Sequence, residues 1–348
     1  MIWLTWRQFR WQAVTAAAFL AMLAIALGIT GPGLVSRYDQ LGLGTCHTEC
    51  TSLAGQFLDD FKNGPDARLF YAGLALMYVA PALIGIFWGA PLIAREFEHG
   101  THRLAWNQSV SRTRWAAVKL GLVGLATVAS AGLLSLMIGW WASPIDDALG
   151  YGQPYTGTWS PRLNPLMFGA RGVAPLGYAA FAFVLGVTAG VIIRRTLPAM
   201  AATLVIFAAV QFLMPTLVRP HLIPPVQATA PFNANAADEI VMTSEGSGPT
   251  TMMLKGNFSR PGAWVLSNQT ITRSGRVFDG PPARACTSNS APPQACSNWL
   301  NSLHLRQLVS FQPASRFWPL QWAETGVYLI IAAGLGALCI WQIRRRRA

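Results

Sequence analysis

Long apolar blocks set the strongest limit on the fold of this chain. About six blocks approach or exceed the roughly 20 mostly apolar residues that a helix needs to cross a bilayer. They are Trp11–Leu34, Tyr71–Ile93, Leu120–Trp141, Val173–Ile193, Ala199–Leu217 and Ala323–Ile343. Only 11% of the 348 residues are charged, whereas soluble domains carry about 25%. The sequence therefore predicts an all-α polytopic membrane protein with six transmembrane helices.

Basic residues in short segments give these spans an orientation. Half of the 26 Lys and Arg residues lie before the first span, between the second and third, between the fourth and fifth, and at the C-terminus. Short cytoplasmic loops carry such an excess, and the four segments alternate as one side of a six-span protein requires. We therefore expect a multi-pass plasma-membrane protein with both termini in the cytoplasm. The net charge of +12 then reflects topology and does not indicate a nucleic-acid partner.

The first ten residues admit two interpretations. Ile2, Trp3, Trp6 and Phe9 can share one helical face, which predicts an N-terminal interfacial helix. Alternatively, these residues extend the first span. A cleaved signal peptide is disfavoured, because the apolar block is long for a signal core and no small-x-small site follows it.

The connections at 35–70, 142–172 and 218–322 then face outward. The last predicts a small α+β extracellular region, so the chain divides into residues 1–217 (interfacial helix and spans one to five), 218–322 (extracellular cap) and 323–348 (span six and basic tail). A hairpin is expected around Ser274-Gly275 within Ala263–Phe278. Ser297 is expected to cap a helix that runs to about Val309.

Four cysteines fall on the outer side, which predicts two disulfides in an oxidising compartment. Among the three possible connectivities we favour the local pairs, Cys46–Cys50 and Cys286–Cys296. A metal site at Cys46-His47-Thr48-Glu49-Cys50 is the alternative, but the sequence has no second group of ligands with the spacing that a metal site needs. We therefore predict no metal site.

The absence of several sequence motifs excludes or disfavours some classes of function. A P-loop ends in Gly-Lys-Ser/Thr, and none of the three lysines follows a glycine, so the chain is not its own P-loop ATPase. Ion-coupled carriers place charged residues inside the membrane, whereas these spans offer neutral groups such as Gln211. Glu324 lies at the outer edge of the last span and is expected to reach the interface. We predict no catalytic residues and no cofactor on this chain.

The cytoplasmic segment 95–114 has the pattern of a docking element. Gly100 can end the helix that carries Glu96 and Glu98, and Thr101 can cap a short helix. That helix would present Arg103, Leu104 and Trp106, and Ser111 would cap the next span. An ordinary connector with positive-inside charge is the alternative interpretation.

This segment resembles the first cytoplasmic loop of type-two ABC exporter permeases, in which a Glu-x-Glu-x-Gly-Thr run precedes a short helix and a Ser-Arg step. The matching residues are Glu96, Glu98, Gly100, Thr101, Ser111, Arg112 and Lys119. The stretch 312–324 is similar to an actinobacterial branch of these permeases. The outer region before the last span is larger than the short re-entrant helices often found there in the family.

The resemblance implies a permease subunit that exports a hydrophobic or amphipathic compound, such as a drug, antibiotic, lipid or peptide. Its partners would be a P-loop ATPase dimer, which binds ATP and Mg, a second permease copy or paralogue, and membrane lipid. The helix from about Thr101 to Asn107 would couple to the ATPase, and Glu96 and Glu98 would transmit the movement.

For the substrate path, Trp88, Gln211 and Phe212 are candidates, although lipid contact or packing also explains each of them. Two other functions remain open. One is a non-transporting sensor whose outer region binds a peptide or envelope component, and the other is a membrane enzyme with its site in the outer region.

Overall fold

The computed structural model describes residues 2–47, 50–100, 111–151, 161–243, 251–256, 258, 260–278, 286 and 294–345. The chain divides into two compact units. The helical unit comprises Met1–Leu222 and Phe317–Ala348, and the inserted unit comprises Ile223–Arg316.

Within the described residues, six helical segments are long and apolar enough to cross a membrane, which confirms the predicted all-α polytopic class. They are Thr5–Gln40, Asp66–Glu98, Arg112–Gly150, Ala174–Ile193, Thr196–Leu222 and Ala314–Arg345. We refer to them as spans one to six. The chain is therefore a multi-pass membrane protein.

Two of the spans are interrupted by a wider helical turn. Span two consists of α3 (Asp66–Ile84), a π-helical turn (Gly85–Gly89) and α4 (Ala90–Glu98), and span five consists of α8 (Thr196–Leu213), a π-helical turn (Met214–Val218) and α9 (Arg219–Leu222). The other spans are α1 (Ile2–Gln40), α5 (Arg112–Gly150), α7 (Ala174–Ile193) and α11 (Phe317–Arg345), and the short helices are α2 (Cys50–Asn63), α6 (Pro165–Phe168) and α10 (Ala295–Ser302). Because α1 is unbroken from Ile2, the first ten residues are continuous with span one.

Span four forms the centre of the helical unit, and small residues let it pack closely on span two. A Cβ atom added to Gly85 would lie 2.7 Å from the carbonyl oxygen of Ala182, and one added to Gly190 would lie 2.6 Å from that of Ala90. Small residues allow this close backbone approach between membrane helices. The π-helical turn of span two therefore lies directly against the central span.

Two apolar clusters distinguish the ends of the helical unit. One joins the start of spans one and three to the end of spans two, four and six, and includes Phe9, Ile93, Trp115, Val191 and Ile343. We call this end the terminal side. The other cluster includes Leu34, Phe57, Phe61, Phe70 and Trp141, and marks the opposite side.

On the opposite side, α2 buries one face. Ala54, Phe57, Leu58 and Phe61 are all buried, and their spacing is that of a single helical stripe. The Cys46–Cys50 disulfide lies at the start of this helix.

The described residues of the inserted unit form two antiparallel sheets. A three-stranded sheet has the order β1 (Val226–Pro231), β5 (Arg306–Gln312), β4 (Trp264–Ile271), and β2 (Ala237–Thr243) pairs with β3 (Thr251–Gly256). Val226 and Val265 both pair with Phe311 of the central strand. The Thr270 hydroxyl donates a 2.7 Å hydrogen bond to the Leu254 carbonyl, which joins the two sheets.

The sequence predictions for this unit were partly correct. The turn at Ser274-Gly275 exists, with Gly275 at φ +83 and a bridge between Ile271 and Val277, although β4 pairs mainly with β5. The Cys286–Cys296 disulfide is also present, so both local pairs form as favoured from the sequence.

The predicted helix from Ser297 to about Val309 is wrong in its extent. Helix α10 ends at Ser302, and the chain turns through His304, which has φ +46, into β5. Gln307, Val309 and Phe311 are buried in alternation with their neighbours, which is the period of a strand. Ser297 does not cap the helix either, since its hydroxyl donates to the Gln294 carbonyl.

Candidate functional site

Glu96 joins three spans at the terminal side. It lies near the end of span two and forms an ion pair with Lys119 of span three. The Lys119 side chain is only 2% exposed, and its ammonium lies 5.0 Å from the Trp115 ring centroid. The Gln8 amide of span one donates a 3.2 Å hydrogen bond to the same Glu96 oxygen. Burial makes the Lys119 charge depend on Glu96, because an unpaired buried charge is costly.

Glu98 joins span two to a further span. Its Oε2 accepts hydrogen bonds from the Thr196 backbone N–H at 3.1 Å and from the Thr196 hydroxyl at 2.6 Å. Thr196 is the first residue of α8, where the helix leaves backbone N–H groups without intrahelical partners. Glu98 therefore caps span five with a side chain supplied by span two.

These two carboxylates define what we call the terminal junction: Glu96, Glu98, Gln8, Lys119 and Thr196. Spans one, two, three and five meet through it. It lies directly before residues 101–110, which connect span two to span three.

The ends of that connection match the sequence prediction. Helix α4 ends at Glu98 and Gly100 follows with φ +70, a conformation that glycine adopts readily after a helix. Ser111 caps α5, since its hydroxyl oxygen accepts a 3.3 Å hydrogen bond from the Arg114 N–H. The other predicted coupling residues, Thr101, Arg103, Leu104 and Trp106, lie outside the described residues.

The three candidates for the substrate path lie in different surroundings. Trp88 is half-buried and packs edge-on against Phe9, with ring centroids 4.9 Å apart. Gln211 accepts a 2.8 Å hydrogen bond from the Tyr328 hydroxyl, and Phe212 is 71% exposed. Trp88 lines two cavities that neither Gln211 nor Phe212 reaches.

A buried charged network was missed from the sequence. Arg219 of span five donates to both Glu324 oxygens of span six, at 2.6 and 2.9 Å, and the Tyr178 hydroxyl of span four donates at 2.5 Å. We call these three residues the opposite-side network. Glu324 is 0% exposed, so the expectation that it reaches the interface is wrong, as is the expectation that the spans offer only neutral groups.

The physical reason for this error is the separation of the partners along the chain. Arg219 follows the fifth apolar block, where hydropathy predicts the outer connection, and lies 105 residues before Glu324. A useful signal was available, because both residues lie at the same end of consecutive spans. A second buried pair, Arg171 with Asp146 at 2.8 Å, lies on this side as well.

Gln321 supplies a neutral counterpart to Glu98. Its Oε1 accepts hydrogen bonds from the Val173 and Ala174 N–H groups at 3.0 and 2.8 Å, and its Nε2 donates to the Phe168 carbonyl at 2.9 Å. It therefore caps the start of span four with a side chain from span six.

Within the ranges that the structure describes, no group of three or more His, Cys, Asp or Glu residues could hold a metal ion. The polar geometry of the helical unit instead connects spans to one another. Such connections can hold helices together or transmit a displacement between them.

Comparison with known proteins identifies the family. A family model described as ABC-2 membrane transporter related matches residues 17–219, which is more than half of the chain. No curated protein and no solved structure shows significant similarity. The matched region begins within span one, ends within span five, and holds most of the terminal junction. The chain belongs to the ABC-2 membrane transporter related family, as an ABC-2-type permease and thus a membrane transport component.

Proposed function

We propose that this chain is the permease subunit of an ATP-binding cassette exporter that moves a hydrophobic or amphipathic compound out of the cell. A separate P-loop ATPase dimer binds ATP and Mg and supplies the energy, and a second permease copy or paralogue completes the pathway. The observation that carries the proposal is the terminal junction, in which Glu96 and Glu98 connect span two to spans one, three and five.

The proposed orientation places both termini, the terminal junction and residues 101–110 in the cytoplasm. Arg7, Arg10, Arg194, Arg195 and Arg344 lie at or near the terminal-side ends of the spans. This distribution follows the positive-inside rule. The inserted unit is then extracellular, where its disulfide is compatible with an oxidising environment.

The proposed coupling runs through residues 101–107. Arg103, Leu104 and Trp106 bind a groove of the ATPase, so that closure of the ATPase dimer displaces the end of span two. The junction passes the displacement to three other spans. ATP binding thereby shifts the equilibrium between inward-open and outward-open states.

The π-helical turn Gly85–Gly89 supports this sequence of events. It divides span two between α3 and α4 and lies against span four. Such turns are frequent at functional sites within helices. In our proposal it lets α4 tilt relative to α3 while both stay packed against span four, so that the movement reaches the opposite side.

The decisive experiment is affinity purification from detergent-solubilised membranes of cells that also express the ATPase. Wild-type permease is expected to co-purify with a P-loop ATPase and to show ATP turnover. Arg103→Glu combined with Leu104→Asp is expected to abolish both. The matched control is Arg273→Glu combined with Val277→Asp, which places the same charge changes on exposed residues of the inserted unit. Unchanged co-purification in the first variant would refute the coupling role.

A sensor that transports nothing is the second candidate. It is favoured by the separate core of the inserted unit, where Phe232, Leu254, Leu300 and Leu305 are buried together. A reconstituted complex that hydrolyses ATP but moves no hydrophobic compound would favour this hypothesis over export.

A further inference from the structure

A groove runs between span one and span two. The groove has a volume of about 340 Å³ and lies among spans one, two and three, with Pro175 at the start of span four. Ala16 and Phe19 line it from span one, Met77 and Ala80 from span two, and Leu134 from span three. Most of its lining is aliphatic or aromatic.

A polar cavity continues the groove towards the terminal side. Its volume is about 320 Å³, and it shares Gln12 and Trp88 with the groove. Beyond these two residues its lining includes Gln8, Arg95 and His99. The two cavities together form one cleft that is apolar in the membrane interior and polar at the terminal side. We call it the amphipathic cleft.

Contacts on both sides of the groove hold span one in place. Towards the opposite side, the Trp141 indole donates a 2.9 Å hydrogen bond to the Thr30 hydroxyl. Towards the terminal side, the Gln12 amide donates a 3.2 Å hydrogen bond to the Phe87 carbonyl. Ala16 and Ala80 lie between these contacts with side chains too small to fill the space. The groove is thus framed by fixed contacts at each end.

The polar end of the cleft contains one exposed positive charge, on Arg95. Glu96 is neutralised by Lys119, whereas Arg95 is exposed and forms no ion pair with a described residue. His99 directs Nδ1 at the Arg95 carbonyl, 2.8 Å away. Since a carbonyl only accepts, Nδ1 carries the proton and Nε2 remains for another partner.

The apolar end has the length of one lipid tail. Trp88 and Leu76 bound the groove along span two, and twelve residues of helix correspond to roughly 18 Å. One leaflet of the hydrocarbon core is about 15 Å thick, half of the ~30 Å bilayer core. A groove of this length in the membrane would lose dispersion contacts if it stayed empty.

We infer that the amphipathic cleft binds one anionic membrane phospholipid, with an acyl chain between Ala16 and Ala80 and the phosphate beside Arg95 and His99. The acyl chain of the lipid packs in the groove, and the positive charge of Arg95 favours an anionic headgroup. This binding is a property of the permease alone and needs neither ATP nor the ATPase, so its test is independent of the proposed export function.

Photolabelling tests the position of the tail. Permease is reconstituted in phosphatidylcholine nanodiscs that contain phosphatidylglycerol with a diazirine in its acyl chain, and labelled peptides are identified by mass spectrometry. We expect labelling on the faces that carry Ala16 and Ala80. Ala16→Trp, which fills the groove, should lower this labelling at least about fivefold, the effect of roughly 1 kcal/mol.

Ala17→Trp is the matched control, because Ala17 is exposed and does not line the groove. It should leave labelling unchanged. Ala80→Leu fills the groove with a smaller side chain and should reproduce the loss even if Ala16→Trp fails to fold. Labelling that is uniform around span one, or equal in all variants, would show that the lipid contacts are non-specific and would overturn the inference.

Headgroup preference is tested by comparing diazirine-labelled phosphatidylglycerol with the same chain on phosphatidylcholine. Arg95→Gln should lower the preference for phosphatidylglycerol about fivefold, since one basic residue contributes ~1 kcal/mol near an anionic surface. Arg10→Gln, an exposed basic residue of span one outside both cavities, should not change it. Equal labelling by both lipids in the wild type would overturn the anionic specificity.

Discussion

Polar residues connect the spans at both ends of the helical unit, and each end has an ion pair with a buried cation, but the terminal side also has the exposed contact of Glu98 with Thr196 between spans two and five. At the opposite side, Arg219 and Glu324 are 2% and 0% exposed and share two hydrogen bonds. At the terminal junction, Glu98 is exposed and reaches Thr196 through one carboxylate oxygen. The first arrangement is costly to break, whereas the second can open towards water.

The two caps show the same contrast. Gln321 is fully buried and uses three hydrogen bonds to fix the start of span four. Glu98 caps the start of span five from an exposed position next to the proposed coupling segment. The comparison suggests that the opposite side anchors the spans and that the terminal side is where a partner can displace them.

Removing one member of the opposite-side network should have the largest effect. Glu324→Ala leaves Arg219 buried without its carboxylate, which should lower the free energy of unfolding by about 3 to 5 kcal/mol. Thermal unfolding of the detergent-solubilised protein measures this loss. The double variant Arg219→Met with Glu324→Met removes both charges and should recover much of the stability. A single variant as stable as the wild type would contradict the role of anchor.

Glu96→Ala should have an intermediate effect. It leaves the buried Lys119 ammonium unpaired, and we expect a loss of about 2 kcal/mol, within the range for an unsatisfied charged hydrogen-bonding group. The same unfolding measurement applies. Lys119→Met in the Glu96→Ala background is the control and should restore stability. A further loss of stability in this double variant would show that the unpaired Lys119 charge is not the cause of the first loss.

Glu98→Ala should have the smallest effect on stability, because it removes a helix cap supplied by an exposed side chain. In the proposed exporter its effect on function is larger, because span five loses its connection to span two. ATP turnover that no longer responds to added hydrophobic compounds, with the ATPase still bound, is the expected result. Leu197→Ala, an exposed neighbour of Thr196, should retain the response.

The sequence was sufficient for features encoded locally. Apolar length located the six spans, Gly275 marked a turn, and cysteines four and ten residues apart formed their disulfides. The cap at Ser111 was also predictable, because a helix start is determined by adjacent residues.

Features that depend on distant partners were not predictable in this way. Arg219 meets Glu324 only because spans five and six pack on span four, and hydropathy alone placed Glu324 at the interface. Glu98 was selected by its resemblance to a loop motif, yet its partner Thr196 lies 98 residues away. Strand β5 follows a helix-like stretch, and its pairing with β1 and β4 decided its conformation.

The central claim is that the terminal junction passes ATPase movement to the opposite side. Spin labels at Tyr71 of span two and Leu217 of span five, both exposed, report their separation without requiring a substrate. In the complex with its ATPase, trapping with ATP and vanadate should shift the distance distribution of the wild type. The same shift should be absent in Glu96→Gln with Glu98→Gln, although the ATPase stays bound. An unaltered shift in that double variant would contradict the account.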